Sequence, residues 1–400
     1  MRSFIAYLKK NGLKHFFEVI YRYKIDALIR KILMVFLKNR PLEDVIVIAS
    51  HNDFDCNGGA FYDYLIKNNY NKKYKIIWIL RNDKKYNLPQ NVKAYYEFRP
   101  SPAKDYYVCV AKIFTADCDI THKMRKDQKS FFFCHGPIGL KNVKGNHVIP
   151  DYVDYILAPS MEFMPVFAEQ RDIDINSKRF VHLGYPFFDT LFSEPTGELK
   201  KITKKEFSKV ILWMPTFRKG GGDRRNDSAA ELPMGIPTVE NEEMLVELNE
   251  KLVCMDMLLI IKIHPMQDLS EFKLHSMSNI FVLTGVDVKK LDIDNYRLMR
   301  EVDALISDYS AASYEFLPLN RPIGYDFSDI DDYKIGLCVK NVDEYIAGPK
   351  IYNFEQFIEF LETVYSGKDE YKEKRTELIA RLYDPCDDKC CERIAKFMGL

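Results

Sequence analysis

The stretch Val210-Ile-Leu-Trp-Met-Pro-Thr-Phe-Arg218 is five apolar residues in a row, closed by a proline and then by a hydroxyl and a guanidinium. A short apolar run without alternation reads as a strand buried on both faces. The same shape recurs on both sides of it. Downstream, runs at 258–263, 279–283, 304–307 and 322–325 repeat the pattern. Upstream, it appears at 45–50, 74–80, 92–97, 106–110, 130–134, 155–158 and 180–183. Amphipathic stretches such as 59–69, 161–171, 242–254 and 313–319 lie between the runs. Strands of this length alternating with helices predict an α/β fold with parallel, doubly wound sheets.

Segment 194–205 is polar, holds Pro195 and Gly197, and reads as a linker between two halves of similar size. The expected organisation is a helical segment over 1–43, a first α/β domain over 44–194, a second α/β domain over 206–350, and C-terminal helices over 351–400. Two Rossmann-like domains would then face a cleft, and ligands in such sheets bind beyond the carboxyl ends of the strands.

Composition narrows the function classes. The chain has 400 residues, 47% apolar and 29% charged, which is globular. Lys+Arg and Asp+Glu are both 58, so the basic excess of a dedicated nucleic-acid binder is missing, and no nucleic-acid partner is expected. No small-residue cleavage site follows a short apolar core, so the nine cysteines read as reduced thiols in a cytoplasmic protein. No apolar run near the N-terminus approaches the roughly 20 residues of a membrane span.

Charge is unevenly placed. Residues 1–40 hold ten Lys/Arg against Glu18 and Asp26, an excess of about +8. Phe4 and Leu8, then Leu13, Phe16, Phe17 and Ile20, then Ile25, Leu28, Ile29, Ile32 and Leu33 recur at helical spacing. A basic amphipathic helix of this kind suits an anionic membrane surface. Packing on the main domain, with the charges left in water, is the other reading.

Four clusters follow strands. In Phe131-Phe-Phe-Cys-His-Gly-Pro-Ile-Gly-Leu-Lys141 a buried strand delivers His135 into a turn with Gly136, and Lys141 follows. Such a histidine either exchanges a proton near neutral pH or is simply structural, and the glycines admit a substrate close to the backbone. In Leu258-Leu-Ile-Ile-Lys-Ile-His-Pro265, Lys262 and His264 share one strand face and suit a pyrophosphate; a strand-end cap is the alternative. Ser307-Asp-Tyr-Ser310 ends a strand and opens a helix, where Asp308 or Ser310 serves as N-cap, anion site, or both. Thr216 and Arg218 leave the opening strand as phosphate-type donors, and the loop at 220–225 is glycine-rich and basic. Metal readings of Asp53 with Asp55, and of Cys386, Cys390 and Cys391, lack supporting ligands, so no metal is expected. The P-loop, nucleophile-elbow and dinucleotide fingerprints are absent.

Taken in order, these clusters resemble the CDP-glycerol glycerophosphotransferase family of teichoic-acid primases and polymerases. His135-Gly-Pro-Ile-Gly-Leu-Lys141 is similar to that family's His-Gly-Thr-Pro-Leu-Lys, and Gly184-Tyr-Pro-Phe-Phe-Asp189 to its Gly-x-Pro-Arg-x-Asp. Met214-Pro-Thr-Phe-Arg218 and Lys262-Ile-His-Pro265 resemble Ala-Pro-Thr-Phe-Arg and Lys-x-His-Pro. Ser307-Asp-Tyr-Ser310 with Glu315-Phe-Leu317 and Arg321-Pro322 resembles Thr/Ser-Asp-Tyr-Ser, Asp-Phe-x and Lys/Arg-Pro. There are two departures: the altered Pro-Ile-Gly after His135-Gly136, and Phe187 where the family carries Arg.

The resemblance implies a GT-B-like fold, with the acceptor mainly on the 44–194 domain and nucleotide mainly on the 206–350 domain, and a peripheral place on the cytoplasmic face of the membrane. It implies transfer of an alditol phosphate, glycerol phosphate first, from a CDP-activated donor to a hydroxyl of a membrane-linked glycan or polymer. No cofactor is called for. His135 and His264 are the expected catalytic residues. Thr216, Arg218, Lys262, Ser307, Asp308, Tyr309, Ser310 and Glu315 are expected around nucleotide and phosphate, and Gly136 and Lys141 on the acceptor side. A nucleotide-sugar glycosyltransferase and a non-catalytic envelope scaffold are the competing readings. Homo-oligomerisation is left open.

Overall fold

The computed structural model describes residues 12, 13, 16, 25–145, 148–220, 226–270 and 272–400. Two all-parallel sheets organise the chain. The first contains β1 (Glu43–Ala49), β2 (Lys75–Leu80), β3 (Val92–Tyr96), β4 (Ala111–Ala116), β5 (Lys129–Phe132), β6 (Tyr155–Leu157) and β7 (Phe180–Val181). Its order is β3-β2-β1-β4-β5-β6-β7. The second contains β8 (Lys209–Met214), β9 (Met257–Lys262), β10 (Ile280–Leu283), β11 (Ala304–Ser307), β12 (Ile323–Asp326) and β13 (Lys350–Ile351), in the order β10-β9-β8-β11-β12-β13. The α/β, doubly wound expectation is met. In each sheet the winding reverses next to its first strand, between β1 and β4 and between β8 and β11. That switch point is where an open α/β sheet leaves a crevice for ligands.

The central strands are buried on both faces, which explains the unbroken apolar runs. All six residues of β9 are buried, and so are the last five of β1. One expected strand is not a strand. Residues 106–110 belong to a helix, Pro102–Val110, and β4 follows without a loop. The Ser101 side chain accepts the Lys104 N–H, with Pro102 in the first turn, and this cap overrides the β-type composition of Tyr106-Tyr-Val-Cys-Val.

The halves are sewn together. The expected linker carries a short helix, Glu198–Ile202, and the Glu301 carboxylate accepts the N–H groups of Thr196, Gly197 and Leu199. Phe187 is buried and stacks on Tyr296 of the second half, ring centroids 4.8 Å apart. The residue that departs from the family motif is thus an apolar tie between the halves. The final helix, Cys390–Met398, returns to the first half, where Asp189 accepts the N–H groups of Cys390 and Cys391.

Ahead of β1, the helix Ala27–Leu37 packs on helix Pro102–Val110 through Leu37, Cys109 and Val110. Buried Asp26 pairs with Lys104 at 3.1 Å, and Arg30 with Asp105 at 2.7 Å. Arg2, Phe4, Lys9, Lys10, Lys14, Phe17, Ile20, Arg22 and Lys24, and residues 221–225 of the basic loop, lie outside the described residues.

Candidate active site

The strand ends of the two sheets face each other across a cleft, and imidazoles line both walls. On the first wall, β4 ends in Asp117, which is buried and holds two neighbouring loops at once. Its carboxylate accepts the His51 N–H at 2.6 Å, the Ser50 hydroxyl at 2.7 Å and the Gly58 N–H at 3.1 Å. Its backbone carbonyl accepts the His135 N–H at 2.6 Å. The rings of His51 and His135 stack, centroids 4.1 Å apart and 10° from parallel. Both loops bend sharply: Phe54, Cys56 and Cys134 have positive φ, a conformation L-residues adopt only when their surroundings impose it. Asn57 ties the His135 loop down, donating to the Cys134 carbonyl at 2.9 Å and accepting the Phe187 N–H at 3.0 Å.

Gly136 and Gly139 lie close against Ala311 of the second half. A Cβ on Gly136 would sit 3.0 Å from the Ala311 side chain, and one on Gly139 3.4 Å from the Ala311 nitrogen. They let the His135 loop lie against the second half. Beyond them Leu140 donates to the Tyr309 carbonyl, and Lys141 bridges to Leu337, so Lys141 sits on the seam between the halves.

On the opposite wall, β9 delivers Lys262 and His264. Lys262 is 6% exposed, and no carboxylate reaches ion-pairing distance of its ammonium among the described residues. Burial pulls its pKa down, while Asp55 and Glu315 in the same cleft hold it up. The His264 Nδ1 accepts the Met266 N–H at 3.1 Å, so the neutral ring carries its proton on Nε2. Burial, then the fields of Lys141, Lys262, His51 and His135, push its pKa down to about 3. His264 is therefore a neutral hydrogen-bond donor at physiological pH. Glu315 is buried, accepts the Tyr296 hydroxyl at 3.0 Å, and is pushed up to about 7 by burial and by the negative field of Asp55.

Most of the remaining expected phosphate residues hydrogen-bond to one another or to nearby backbone. Arg218 is 2% exposed; its Nε and Nη2 donate to Asp329 at 2.6 and 2.8 Å, and its Nη1 to Asp308 at 2.8 Å and the Thr216 carbonyl at 2.7 Å. The Thr216 hydroxyl and N–H both donate to Asp308. Asp308 is buried, which disfavours its charge, yet Arg218 and Lys141 carry its pKa below the ordinary value. Ser307 donates to the Met214 carbonyl, Ser310 caps the helix Ala311–Phe316 by accepting the Ala312 N–H, and the Tyr309 ring lies buried against Tyr333. Apart from the Tyr309 hydroxyl, which is buried with no hydrogen-bond partner among the described residues, these side chains are engaged within the fold. Together they clamp the ends of β8, β11 and β12.

His51, Asp117 and Asn57 were not among the expected site residues. His51 stands two residues after a strand, as His264 does, and that position was the available signal. Nothing in the sequence around Asp117 marks it, because its role depends on β4 lying between β1 and β5.

Two parallel α/β halves that gather imidazoles and a buried lysine at facing strand ends make a GT-B-like architecture. The chain belongs to the CDP-glycerol:poly(glycerophosphate) glycerophosphotransferase family, which matches residues 32–399. It is 28% identical over 218 residues to the teichoic acid glycerol-phosphate primase of Bacillus subtilis (strain 168), spanning 53% of this chain and half of that relative's length. It is 22% identical over 393 residues to a teichoic acid poly(glycerol phosphate) polymerase of Bacillus spizizenii, covering 90% and 91% of the two chains. The structure of the H444N variant of the wall teichoic acid polymerase TagF superposes with a TM-score of 0.74 at 19% identity, covering 98% of this chain and 97% of that one. That likeness concerns the fold.

Proposed function

We propose that the protein transfers an alditol phosphate, glycerol phosphate first, from a CDP-activated donor to a hydroxyl of a membrane-linked glycan or polymer. The observation that carries the reading is the buried Lys262 ammonium, unpaired with any described carboxylate, beside the neutral His264 donor and across from His135. A dianionic pyrophosphate supplies the charge that Lys262 lacks and accepts the His264 Nε2–H. The acceptor oxygen attacks the β-phosphorus and its proton passes to His135. The bond from that phosphorus to the bridging oxygen breaks, and CMP leaves with the electron pair. Lys262 and His264 meet the charge that grows on the departing phosphate. Arg218, Thr216, Asp308 and Ser310 act from beneath by holding the loops in place.

Work at the membrane fits the exposed face of helix Ala27–Leu37, where Leu28, Ile32, Val35 and Phe36 form an apolar stripe. No described helix is long and apolar enough to cross a bilayer. The test is a donor screen with CDP-glycerol, CDP-ribitol and UDP-sugars, analysing product mass. Turnover of a CDP-alditol is expected, falling by roughly 10²-fold or more in His135→Ala and His264→Ala. Turnover of UDP-sugars alone would make the protein a glycosyltransferase, and no turnover with intact nucleotide binding would make it a scaffold.

A further inference from the structure

We propose that His51 is a positioning residue of the reaction site: its ring is the flat support that fixes the plane of His135. The inference rests on the transfer reading above, in which His135 takes the acceptor's proton. Three observations converge on it. The rings lie face to face, centroids 4.1 Å apart and 10° from parallel. Both backbones hang from one buried residue, since Asp117 takes the His51 N–H on its carboxylate and the His135 N–H on its carbonyl. Both loops are held in left-handed backbone at non-glycine residues, Phe54 and Cys56 after His51 and Cys134 just before His135. A proton acceptor must meet the attacking hydroxyl within hydrogen-bond reach and in plane, so a ring stacked on a flat neighbour is held ready for that approach.

The charges around His51 keep this support uncharged. Asp117, Arg81, Asp119 and His135 face it from its own half, with Arg81 paired to Asp119 at 2.8 Å, and His264 faces it across the cleft. Burial and the neighbouring His135 push it down to about 4, Arg81 adds to this, and Asp117 and Asp119 only partly offset it. A His51 ring kept neutral in this way neither draws the anionic donor away from Lys262 nor repels a proton taken up by His135.

The experiment compares wild type, His51→Ala and His51→Phe in CMP release, with CDP affinity by calorimetry. His51→Ala is expected to lose kcat on the order of tenfold to a hundredfold, the scale of a misplaced catalytic group, with CDP affinity unchanged. His51→Phe restores a flat ring without an ionisable nitrogen, so most of kcat is expected to return. In parallel, histidine-labelled protein is titrated by NMR, and the His51 signal is expected to titrate at higher pH in His135→Phe than in wild type. Wild-type kcat in His51→Ala overturns the inference, as does His51→Phe remaining as slow as His51→Ala. An unmoved His51 titration in His135→Phe shows that the rings are not coupled and overturns it equally. Absence of CMP release by wild type defeats the transfer reading instead, and the titration still judges the ring pair.

Discussion

At the scale of single residues, the cleft separates two kinds of charged group by whether a counter-charge is already in place. Arg218 has its counter-charges: Asp308 and Asp329 surround it on both edges. Removing it would leave two buried carboxylates facing each other. Arg218→Ala is expected to cost about 3–5 kcal/mol of stability, the scale of breaking a buried pair from one side. Arg218→Lys should recover little, because one ammonium cannot reproduce a fork that spans two carboxylates. Urea unfolding checks this, and an Arg218→Ala protein with unchanged stability that has lost only nucleotide affinity would show that the guanidinium serves the ligand. Glu315 carries a prediction in pH. Its carboxyl, ordinarily near 4.5, is raised to about 7 in the fold, first by burial. The unfolded chain therefore releases this proton near 4.5 while the fold keeps it to about 7, and the contribution of Glu315 to stability is lost as pH rises through that window. Glu315→Gln has nothing to titrate. Thermal unfolding should show the variant gaining on wild type from pH 5 to pH 7.5, and a constant difference between them would contradict the raised value.

Among elements, legibility followed how local the deciding interaction is. Apolar runs such as 258–263 and 210–214 are sufficient to place β9 and β8, because a strand buried on both faces needs nothing but its own side chains to declare itself. The helix Glu242–Cys254 was equally plain, with Asn241 capping it and leucines at 245, 248 and 252 on one face. Tyr106-Tyr-Val-Cys-Val misled because its burial is tertiary. Val108 and Cys109 sit on the inner side of a helix that is anchored by Ser101 and by the ion pairs of Lys104 and Asp105 with the preceding helix. The site divides in the same way. His135, Lys262 and His264 follow strands directly and were visible. The engaged state of Arg218 and Thr216 was not, because Asp308 and Asp329 lie about a hundred residues away in sequence and meet them only when β8, β11 and β12 pack side by side. His51 was hidden for the same reason, since its partner His135 follows β5 and its anchor Asp117 follows β4.

For the whole molecule, the proposed membrane-linked acceptor raises the question of how a chain of zero net charge would reach a bilayer. Packing and membrane contact were alternatives in the sequence; the helix Ala27–Leu37 packs through one face and leaves an apolar stripe exposed on another. Its inner side supplies Asp26 and Leu37 to the core, while Phe36 and Val35 are about 70% exposed, with Leu28 and Ile32 on the same outer stripe. Lys31 and Lys38 flank that stripe in solvent. Removing residues 1–40 altogether is therefore a poor test, because Lys104 and Asp105, both buried, would lose their partners Asp26 and Arg30. Substitutions on the outer face leave the inner one intact. Leu28, Ile32, Val35 and Phe36 changed together to Ser are expected to leave thermal stability near wild type and to weaken sedimentation with anionic vesicles at every salt concentration, since burial of apolar side chains in the interface is not screened. Lys31→Gln with Lys38→Gln should weaken it mainly at low salt, where the Debye length reaches beyond about 10 Å. If the serine variant sediments as well as wild type, the outer stripe has no part in membrane contact. If its stability collapses, the stripe belongs to the fold and the first forty residues are packing elements on both sides.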